Sequence, residues 1–335
     1  MSRSQIALWT SLALAATAAL GCGGGNLPGP TGSVYAYANE AGNGTIFVVP
    51  ASGGAPNVLI AGQAPHNIGG VFAFDGATVY YTDNVNWFSS DSSAPPSTSL
   101  LSLPIAGAGT PTTLWSGSDA INGVAVDSES VYFIEQSSSD YTQQALVKEP
   151  IGGGFPEVLV ASLPAPAYTL AVGGGYAAWA DNGGAVYRVA TSGGAVEPLA
   201  SNQGRMAAIA ADDSGIYWSD LGQESVDCGA SGGSVVGVPA GAPEPITLAS
   251  GLDNVNAVAV SMGVVYFTFA GVVGCDTFQG MQGQVAQVAA GASLPLATGL
   301  QSPSNLFLTP QTVYYTTVTD LQNFVLAPHA AALTP

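Results

Sequence analysis

Basic residues are nearly absent from this sequence, and charged residues of any kind are few. The 335 residues contain 4 Lys and Arg against 22 Asp and Glu, which gives a formal net charge of −18. Charged residues make up 8% of the chain, compared with about a quarter in an average soluble domain. Nucleic-acid binding and attraction to an anionic membrane surface both require clustered Lys and Arg. The composition therefore excludes nucleic acid as a partner, and it excludes membrane binding through basic residues.

Residues that bind metals or carry out redox chemistry are also scarce. The cysteines are Cys22, Cys228 and Cys275, and the histidines are His66 and His329. This set is too small for a structural zinc site built from cysteines or for a site with three histidine ligands. The chain also lacks a Gly-x-Ser-x-Gly nucleophile motif. We therefore predict no cofactor.

Helical periodicity is the third absence. After the first 21 residues, no segment repeats its apolar residues at helical spacing over more than two turns. The chain contains 44 Gly and 22 Pro, yet 47% of its residues are hydrophobic, which is too many for a disordered protein. These features predict an all-β protein.

The N-terminus has the features of an export signal. Arg3 precedes the apolar stretch 6–20, which is too short for a spanning helix, and small residues lead up to Cys22. Gly21-Cys22 resembles the bacterial lipoprotein box, in which the cysteine is lipidated. The resemblance implies a signal peptide over 1–21, and a lipidated Cys22 followed by a Gly/Pro-rich linker over 22–33. The alternative is an ordinary secreted protein with a chance cysteine.

The resemblance also implies an address for the protein. Lipidation of Cys22 would anchor the chain in the bacterial cell envelope, and the lipid would be its only membrane contact. Gly23 stands where an inner-membrane retention signal of such proteins has Asp. We therefore expect an outer-membrane lipoprotein, and the sequence leaves open whether it faces the periplasm or the surface.

A short pattern recurs along the rest of the chain, in which a β-branched or small residue precedes aromatic residues. Its first residues are spaced by 45, 52, 46, 39, 49 and 48 positions, a period near 46. The copies are Val34-Tyr35-Ala36-Tyr37, Val79-Tyr80-Tyr81, Val131-Tyr132-Phe133, Ala177-Ala178-Trp179, Ile216-Tyr217-Trp218, Val265-Tyr266-Phe267 and Val313-Tyr314-Tyr315.

Further short strands accompany each copy of the pattern. An apolar strand precedes it, an alternating strand follows it, and a short fourth strand comes after a glycine-bearing turn. Four antiparallel strands every 40–50 residues are typical of a β-propeller blade. We predict a single propeller over 34–335, most simply with seven blades, with six or eight left open. No innermost strand is found before Val34, so either the first blade has three strands or its strands are shifted by one position. We expect the last repeat to lie against the first and close the ring.

The repeats resemble a known group of propellers. Tyr80-Tyr81-Thr82-Asp83, Ala178-Trp179-Ala180-Asp181 and Tyr217-Trp218-Ser219-Asp220 are similar to the Tyr-Trp-Thr-Asp (YWTD) repeat, although Phe269 and Thr317 replace the acid in later copies. NHL-like and TolB-like propellers resemble the chain equally well. The resemblance implies a platform for recognition more often than an enzyme.

Acidic residues fall into two groups. Those at repeated positions, such as Asp75, Asp127 and Asp83, are expected to cap turns and bond to backbone. Asp227 and Asp276 lie in long, non-repeating loops. The sequence leaves open whether they bind a hard cation such as Ca²⁺ together with backbone carbonyls.

Cys228 and Cys275 lie in the same long loops as these two acids. They occupy equivalent connections of consecutive repeats, so we expect the two loops to emerge on one face of the propeller. In an oxidising envelope the two cysteines are then predicted to form a disulfide bond.

Two functions compete. We favour a non-catalytic module that binds a protein, peptide or glycan through the face that carries the connections between second and third strands, because variable loops on a constant scaffold concentrate function. The alternative is an envelope hydrolase or lyase at the mouth of the central channel, which would need convergent acids and His66 there. Taken alone, His66 is more simply a loop histidine that is hydrogen-bonded locally, and we predict no catalytic residue. The candidate ligand contacts are Trp87, Phe88, Tyr141, Arg205, Asn254 and Phe278.

Overall fold

The structure is a computed structural model, and it describes most of the chain after the linker. The described ranges are 33–40, 43–50, 57–63, 66–85, 96–105, 109–224, 230–271, 282–289, 292–309, 312–320 and 325–332. Within them the backbone forms 26 strands and no helix. These ranges accordingly contain no helix that is long and apolar enough to cross a membrane.

The strands form seven antiparallel sheets that follow one another along the chain. The first is β1 (Ser33–Glu40), β2 (Asn43–Pro50) and β3 (Asn57–Ala61), and the second is β4 (His66–Phe74), β5 (Thr78–Val85), β6 (Ser97–Pro104) and β7 (Thr112–Gly117). The third is β8 (Ala120–Val126), β9 (Ser130–Gln136), β10 (Gln144–Pro150) and β11 (Glu157–Val160), and the fourth is β12 (Ala167–Gly173), β13 (Tyr176–Asp181), β14 (Val186–Ala190) and β15 (Glu197–Ala200). The fifth is β16 (Met206–Asp212), β17 (Gly215–Glu224), β18 (Ala230–Pro239) and β19 (Ile246–Leu252), and the sixth is β20 (Val255–Ser261), β21 (Val264–Phe269), β22 (Gly283–Ala289) and β23 (Ala292–Leu300). The seventh is β24 (Ser304–Thr309), β25 (Thr312–Asp320) and β26 (Val325–Ala332).

Each sheet is a meander in which sequential strands pair, as the repeat predicts. Five sheets have four strands, whereas the first lacks the innermost strand and the last lacks the outermost strand in the described part of the chain. From the second sheet onward, the first strands of consecutive sheets lie beside one another. This is the blade arrangement of a β-propeller, so the predicted fold class is confirmed. Closure of the ring by the last repeat stays a prediction.

The core lies between the sheets rather than within a single layer. Six apolar clusters occur among the described residues, and each is shared by two consecutive sheets. Trp179 and Trp218, the aromatics of the fourth and fifth repeats, are both 0% exposed. Trp218 packs with Ala178 of the preceding sheet. The repeat carries aromatics at this register because each blade buries them against its neighbour.

The repeated aspartates have the structural role that their repetition predicts. Asp75 Oδ1 accepts hydrogen bonds from the backbone N–H groups of Ala77 and Thr78, each at 2.8 Å, and its Oδ2 accepts one from the Tyr80 hydroxyl. Asp127 makes the same three bonds one blade later, with Tyr132 as the phenol. Burial and the carboxylate hydrogen bond raise the pKa of both tyrosines. These aspartates therefore fix the hairpin turn between first and second strands.

Both histidines lie in strands. His66 is the first residue of β4, because the first strand of this blade begins earlier than its apolar residues suggest. His329 lies within β26 and pairs with Tyr315. Because His66 is the first residue of an inner strand, its side chain lies at one end of the second blade.

Candidate functional site

The connections between second and third strands, and those from one blade to the next, leave the sheets at the same end. We call this end the connection face. His66 begins the inner strand β4 there, and Asp83 lies near the end of β5. In the register of this hairpin His66 is opposite Val85, so Asp83 is its diagonal neighbour. The hairpin thus brings the imidazole and the carboxylate together on the connection face of the second blade.

The His66 imidazole and the Asp83 carboxylate form a hydrogen-bonded pair. The distance from Nδ1 of His66 to Oδ2 of Asp83 is 2.7 Å. The His66 side chain is 56% exposed, while that of Asp83 is 16% exposed. When Nδ1 carries the proton and donates it to Asp83, Nε2 is left as an acceptor. The pair is therefore built like the base and its orienting acid in an enzyme.

The second oxygen of Asp83 has an unusual environment. Asp83 Oδ1 is buried and has no hydrogen-bond partner, and a buried acceptor of this kind loses hydration without compensation. The hydrogen bond from His66 to Oδ2 is therefore the contact that compensates this carboxylate for its lost hydration. This asymmetry favours a fixed orientation of the imidazole.

The backbone around His66 is held from both sides. The His66 N–H donates to the carbonyl of Gln63 at 2.7 Å. The side chain of the next residue, Asn67, is buried, and its Oδ1 accepts a hydrogen bond from the Gly44 N–H of the neighbouring blade at 2.8 Å. A Cβ at Gly69 would lie 1.9 Å from Oγ1 of Thr82, so only glycine allows β4 to approach β5 this closely. These contacts fix the start of β4.

Two of the predicted ligand contacts, Tyr141 and Arg205, are exposed on the connection face. Tyr141 is 65% exposed, and its carbonyl accepts a short hydrogen bond from Nε2 of Gln136. Oε1 of Gln136 in turn accepts a hydrogen bond from the side-chain amide of Asn122 at 2.8 Å. Arg205 is exposed beside β16 and its carbonyl accepts a hydrogen bond from the Leu221 N–H. Tyr141 and Arg205 are thus available to solvent on this face.

Asn254 is used by the fold. Its φ is 58°, and its side-chain amide donates to the carbonyl of Gly271 at 3.0 Å. Asn tolerates this left-handed conformation better than most residues, so a structural role accounts for it. The remaining predicted site residues lie outside the described part of the chain: Cys22, Trp87, Phe88, Asp227, Cys228, Cys275, Asp276 and Phe278.

Among the described residues at this end of the second and third blades, carboxylates are more numerous than cations. Glu135 is half-buried near the end of β9, and burial together with the charge of Asp119 raises its pKa. The side chain of Asp119 accepts a hydrogen bond from the Ser138 N–H at 2.9 Å. In the described residues this end of the two blades is therefore acidic, which disfavours polyanionic ligands.

The comparisons with known proteins identify the fold. No protein-family model matches the chain, and no curated protein matches its sequence. Among solved structures, it is similar to an oligogalacturonate lyase in complex with manganese, with 10% identity and a TM-score of 0.61 over 90% of this chain and 86% of that one. It is also similar to an oligogalacturonate lyase from Vibrio parahaemolyticus, with 10% identity and a TM-score of 0.61 over 95% and 90% of the two chains.

A third similar structure is a prolyl endopeptidase, at 11% identity and a TM-score of 0.53, where the match covers 85% of this chain and 44% of that one. At such low identity these likenesses establish the β-propeller fold alone.

The manganese of one neighbour prompts a test of the residues present here. Manganese favours several oxygen or nitrogen ligands around one point. No group of three or more His, Cys, Asp or Glu side chains that could hold a metal occurs in the described ranges. His66 and Asp83 supply only two such side chains, so the described residues do not fit a metal centre of this kind.

No catalytic residue was predicted from the sequence, and His66 was expected to be a loop histidine that is hydrogen-bonded locally. Asp83 was assigned to the structural group because it shares a repeat position with Asp181 and Asp220. Asp181 does cap a turn, since its Oδ1 accepts bonds from the N–H groups of Gly183 and Ala185. The signal that could have identified the pair was the hairpin register, because residues two apart across a strand pair share a face.

Proposed function

We propose that this protein is a catalytic β-propeller of the cell envelope, a lyase or hydrolase that acts on a glycan, with His66 as its general base. The observation that carries the proposal is the 2.7 Å pair between Nδ1 of His66 and Oδ2 of Asp83 with an exposed imidazole. The similarity to oligogalacturonate lyases supports a glycan as the substrate class. Asp83 orients the ring and stabilises the imidazolium that forms when Nε2 accepts a proton.

The chemistry of the base suggests a particular kind of substrate. In an elimination, Nε2 takes the proton from the carbon next to a carbonyl, the C–H electrons form a carbon–carbon double bond, and the glycosidic oxygen leaves with its bonding pair and is then protonated. A free carboxylate at that carbonyl would gain further negative charge in the transition state. Because this end of the second and third blades is acidic and the chain has a net charge of −18, we propose a neutral, esterified uronide as substrate.

The test uses an oligogalacturonide and its methyl ester as probes with the full-length protein. Elimination creates a conjugated double bond that is followed by ultraviolet absorbance, whereas hydrolysis releases a reducing end without that absorbance. We expect turnover of the ester to exceed that of the free acid. Replacing His66→Gln should lower kcat at least about 100-fold, the lower range for loss of a general base.

His329→Gln is the matched control because it removes the other histidine, in β26, and should leave turnover unchanged. Asp83→Asn should lower turnover while leaving binding of the probe intact. Full activity of His66→Gln on the ester would disprove the catalytic assignment. Absence of turnover with retained glycan binding would favour the second candidate.

The second candidate is the non-catalytic binding module. It is favoured by Tyr141, whose side chain is 65% exposed on the connection face while its backbone carbonyl is held by Gln136. Exposed aromatics on a fixed backbone are typical anchors for ligands. In this case Tyr141→Ala would weaken binding and His66→Gln would not.

We also propose that the protein is a lipoprotein anchored through Cys22, in keeping with the signal-like segment 1–21. Cys22→Ala should move the protein from the membrane fraction to the soluble fraction, because the sequence contains no other segment apolar enough to anchor it. The measurement is fractionation of cells labelled with a palmitate analogue. Loss of the label with unchanged membrane retention would contradict this anchor.

The Cys228–Cys275 disulfide stays a prediction, which mass mapping under non-reducing conditions would check.

A further inference from the structure

Glu149 is the only acidic side chain with zero exposure among the described residues. It is 0% exposed, and both of its carboxylate oxygens are without a hydrogen-bond partner. Other buried acids of the chain, such as Asp181 and Asp212, accept bonds from backbone N–H groups. Glu149 is thus a buried titratable group that neither the turns nor the proposed site uses.

The register of β10 shows where this side chain lies. Glu149 is directly opposite Val131, and it is two residues after Val147, so the three share one face of the third sheet. Val131 and Val147 both belong to the apolar cluster between the second and third sheets. Lys148, which donates to the carbonyl of Thr191, lies on the opposite face. Glu149 is therefore on the face of the third sheet that packs against the second.

Among the described residues, no charged group is found to act on the Glu149 carboxyl. The described residues of the cluster are aliphatic or aromatic, and the only titratable one is Tyr80 of the second sheet. The Tyr80 hydroxyl already donates to Asp75. Burial alone raises the pKa of the Glu149 carboxyl. An isolated ionised carboxylate in such a place would be very unfavourable.

We propose that Glu149 is a protonation lock between the second and third blades. As a neutral acid it is accommodated in the apolar interface, and when it loses its proton the contact between these two blades loosens. The second blade carries His66 and Asp83 on the connection face, so the lock controls the rigidity of the blade that holds the proposed base. The proposal depends on the interface alone, and it holds whether or not His66 is catalytic.

The sign of the pH dependence follows from linkage. A carboxyl with a raised pKa binds its proton more tightly in the folded state, so stability falls as the pH rises from its unfolded pKa towards its folded pKa. In that interval the unfolding equilibrium constant increases by up to about tenfold for each pH unit. Glu135 contributes in the same direction, because its pKa is also raised. Replacing each residue separately distinguishes the two contributions.

The experiment combines equilibrium unfolding with hydrogen exchange of the full-length protein in mildly acidic and mildly alkaline buffer. In the native protein, we expect amide protection in β4–β6 and β8–β10 to fall at alkaline pH relative to that in β16–β18 and β20–β22. Glu149→Gln should abolish this difference and flatten the pH dependence of unfolding. Glu149→Met, which fills the site with an apolar chain of similar length, should do the same.

Glu135→Gln is the control for an acid at the edge of the same blade, and it should leave the local loss of protection in place. The proposal would be overturned by an equal loss of protection in all blades. It would also be overturned if Glu149→Gln and Glu149→Met kept the local loss, or if Glu135→Gln alone removed it. Failure of the glycan assays does not affect this result.

Discussion

Trp218→Ala is expected to lower the free energy of unfolding by about 3–5 kcal/mol, the range for truncating a buried large aromatic. The indole is 0% exposed, and it packs with Ala178 and Ile209 in the cluster between the fourth and fifth blades. Its Nε1 also donates to Oε1 of Gln203 at 3.2 Å. The substitution therefore removes dispersion contacts on both sides of a blade interface and one hydrogen bond.

The measurement is chemical denaturation, with the midpoint and slope both fitted. Phe155→Ala is the control, since Phe155 is 95% exposed in the turn after β10, and its change should stay within about 0.5 kcal/mol. Trp179→Phe offers a second comparison, because the Trp179 Nε1 has no hydrogen-bond partner to lose. A Trp218→Ala effect as small as that of Phe155→Ala would show that the aromatics of the repeat do not form the inter-blade core.

Gly173→Ala should destabilise the protein by about 3 kcal/mol, at the upper end of the usual cost of overpacking a core. A Cβ at Gly173 would lie 2.6 Å from the carbonyl carbon and oxygen of Ala211 and 2.7 Å from Cα of Asp212. All three are backbone atoms of the next blade, so no side chain can rotate away. The fourth and fifth blades must separate to admit one methyl group.

Gly152→Ala is the matched control for this substitution. A Cβ at Gly152, in the turn after β10, has no neighbouring atom within 4 Å, and its replacement should be neutral within about 0.5 kcal/mol. Each variant adds one methyl group to the chain, and the two differ only in where that group is placed. Equal stability of the two would mean that the blades are not in contact at Gly173.

The sequence predicted the fold well because the repeat contains several independent signals. The aromatic position, the alternating strands and the glycine-bearing turns recur together, and each of them depends only on local structure and on the immediate neighbour. The structural role of Asp75 and Asp127 was predictable for the same reason, since a side chain that caps a turn acts within four residues. Boundaries were less accurate, as the early start of β4 at His66 shows.

The candidate site was only partly predictable. Tyr141 was predicted from the sequence as a ligand contact and is exposed on the connection face, whereas the side chain of Asn254 donates a hydrogen bond to Gly271. His66 was considered only for the alternative function, and no catalytic residue was predicted. Asp83 was assigned to a purely structural group because it shares a repeat position with Asp181. Repetition indicates the role that all residues at one repeat position share. It cannot indicate a role that one copy, such as Asp83, has in addition.

The sequence by itself determined the acidic character, the all-β repeat and the blade order of this protein, because composition and periodicity are local properties of the chain. Only the tertiary structure decided which polar groups meet: Nδ1 of His66 with Oδ2 of Asp83 across a hairpin, and Glu149 with no partner at all between two blades. Hydrogen bonds and desolvation depend on distances of a few ångströms between residues far apart in sequence. A one-residue shift in register would turn each of these side chains to the other face of its sheet.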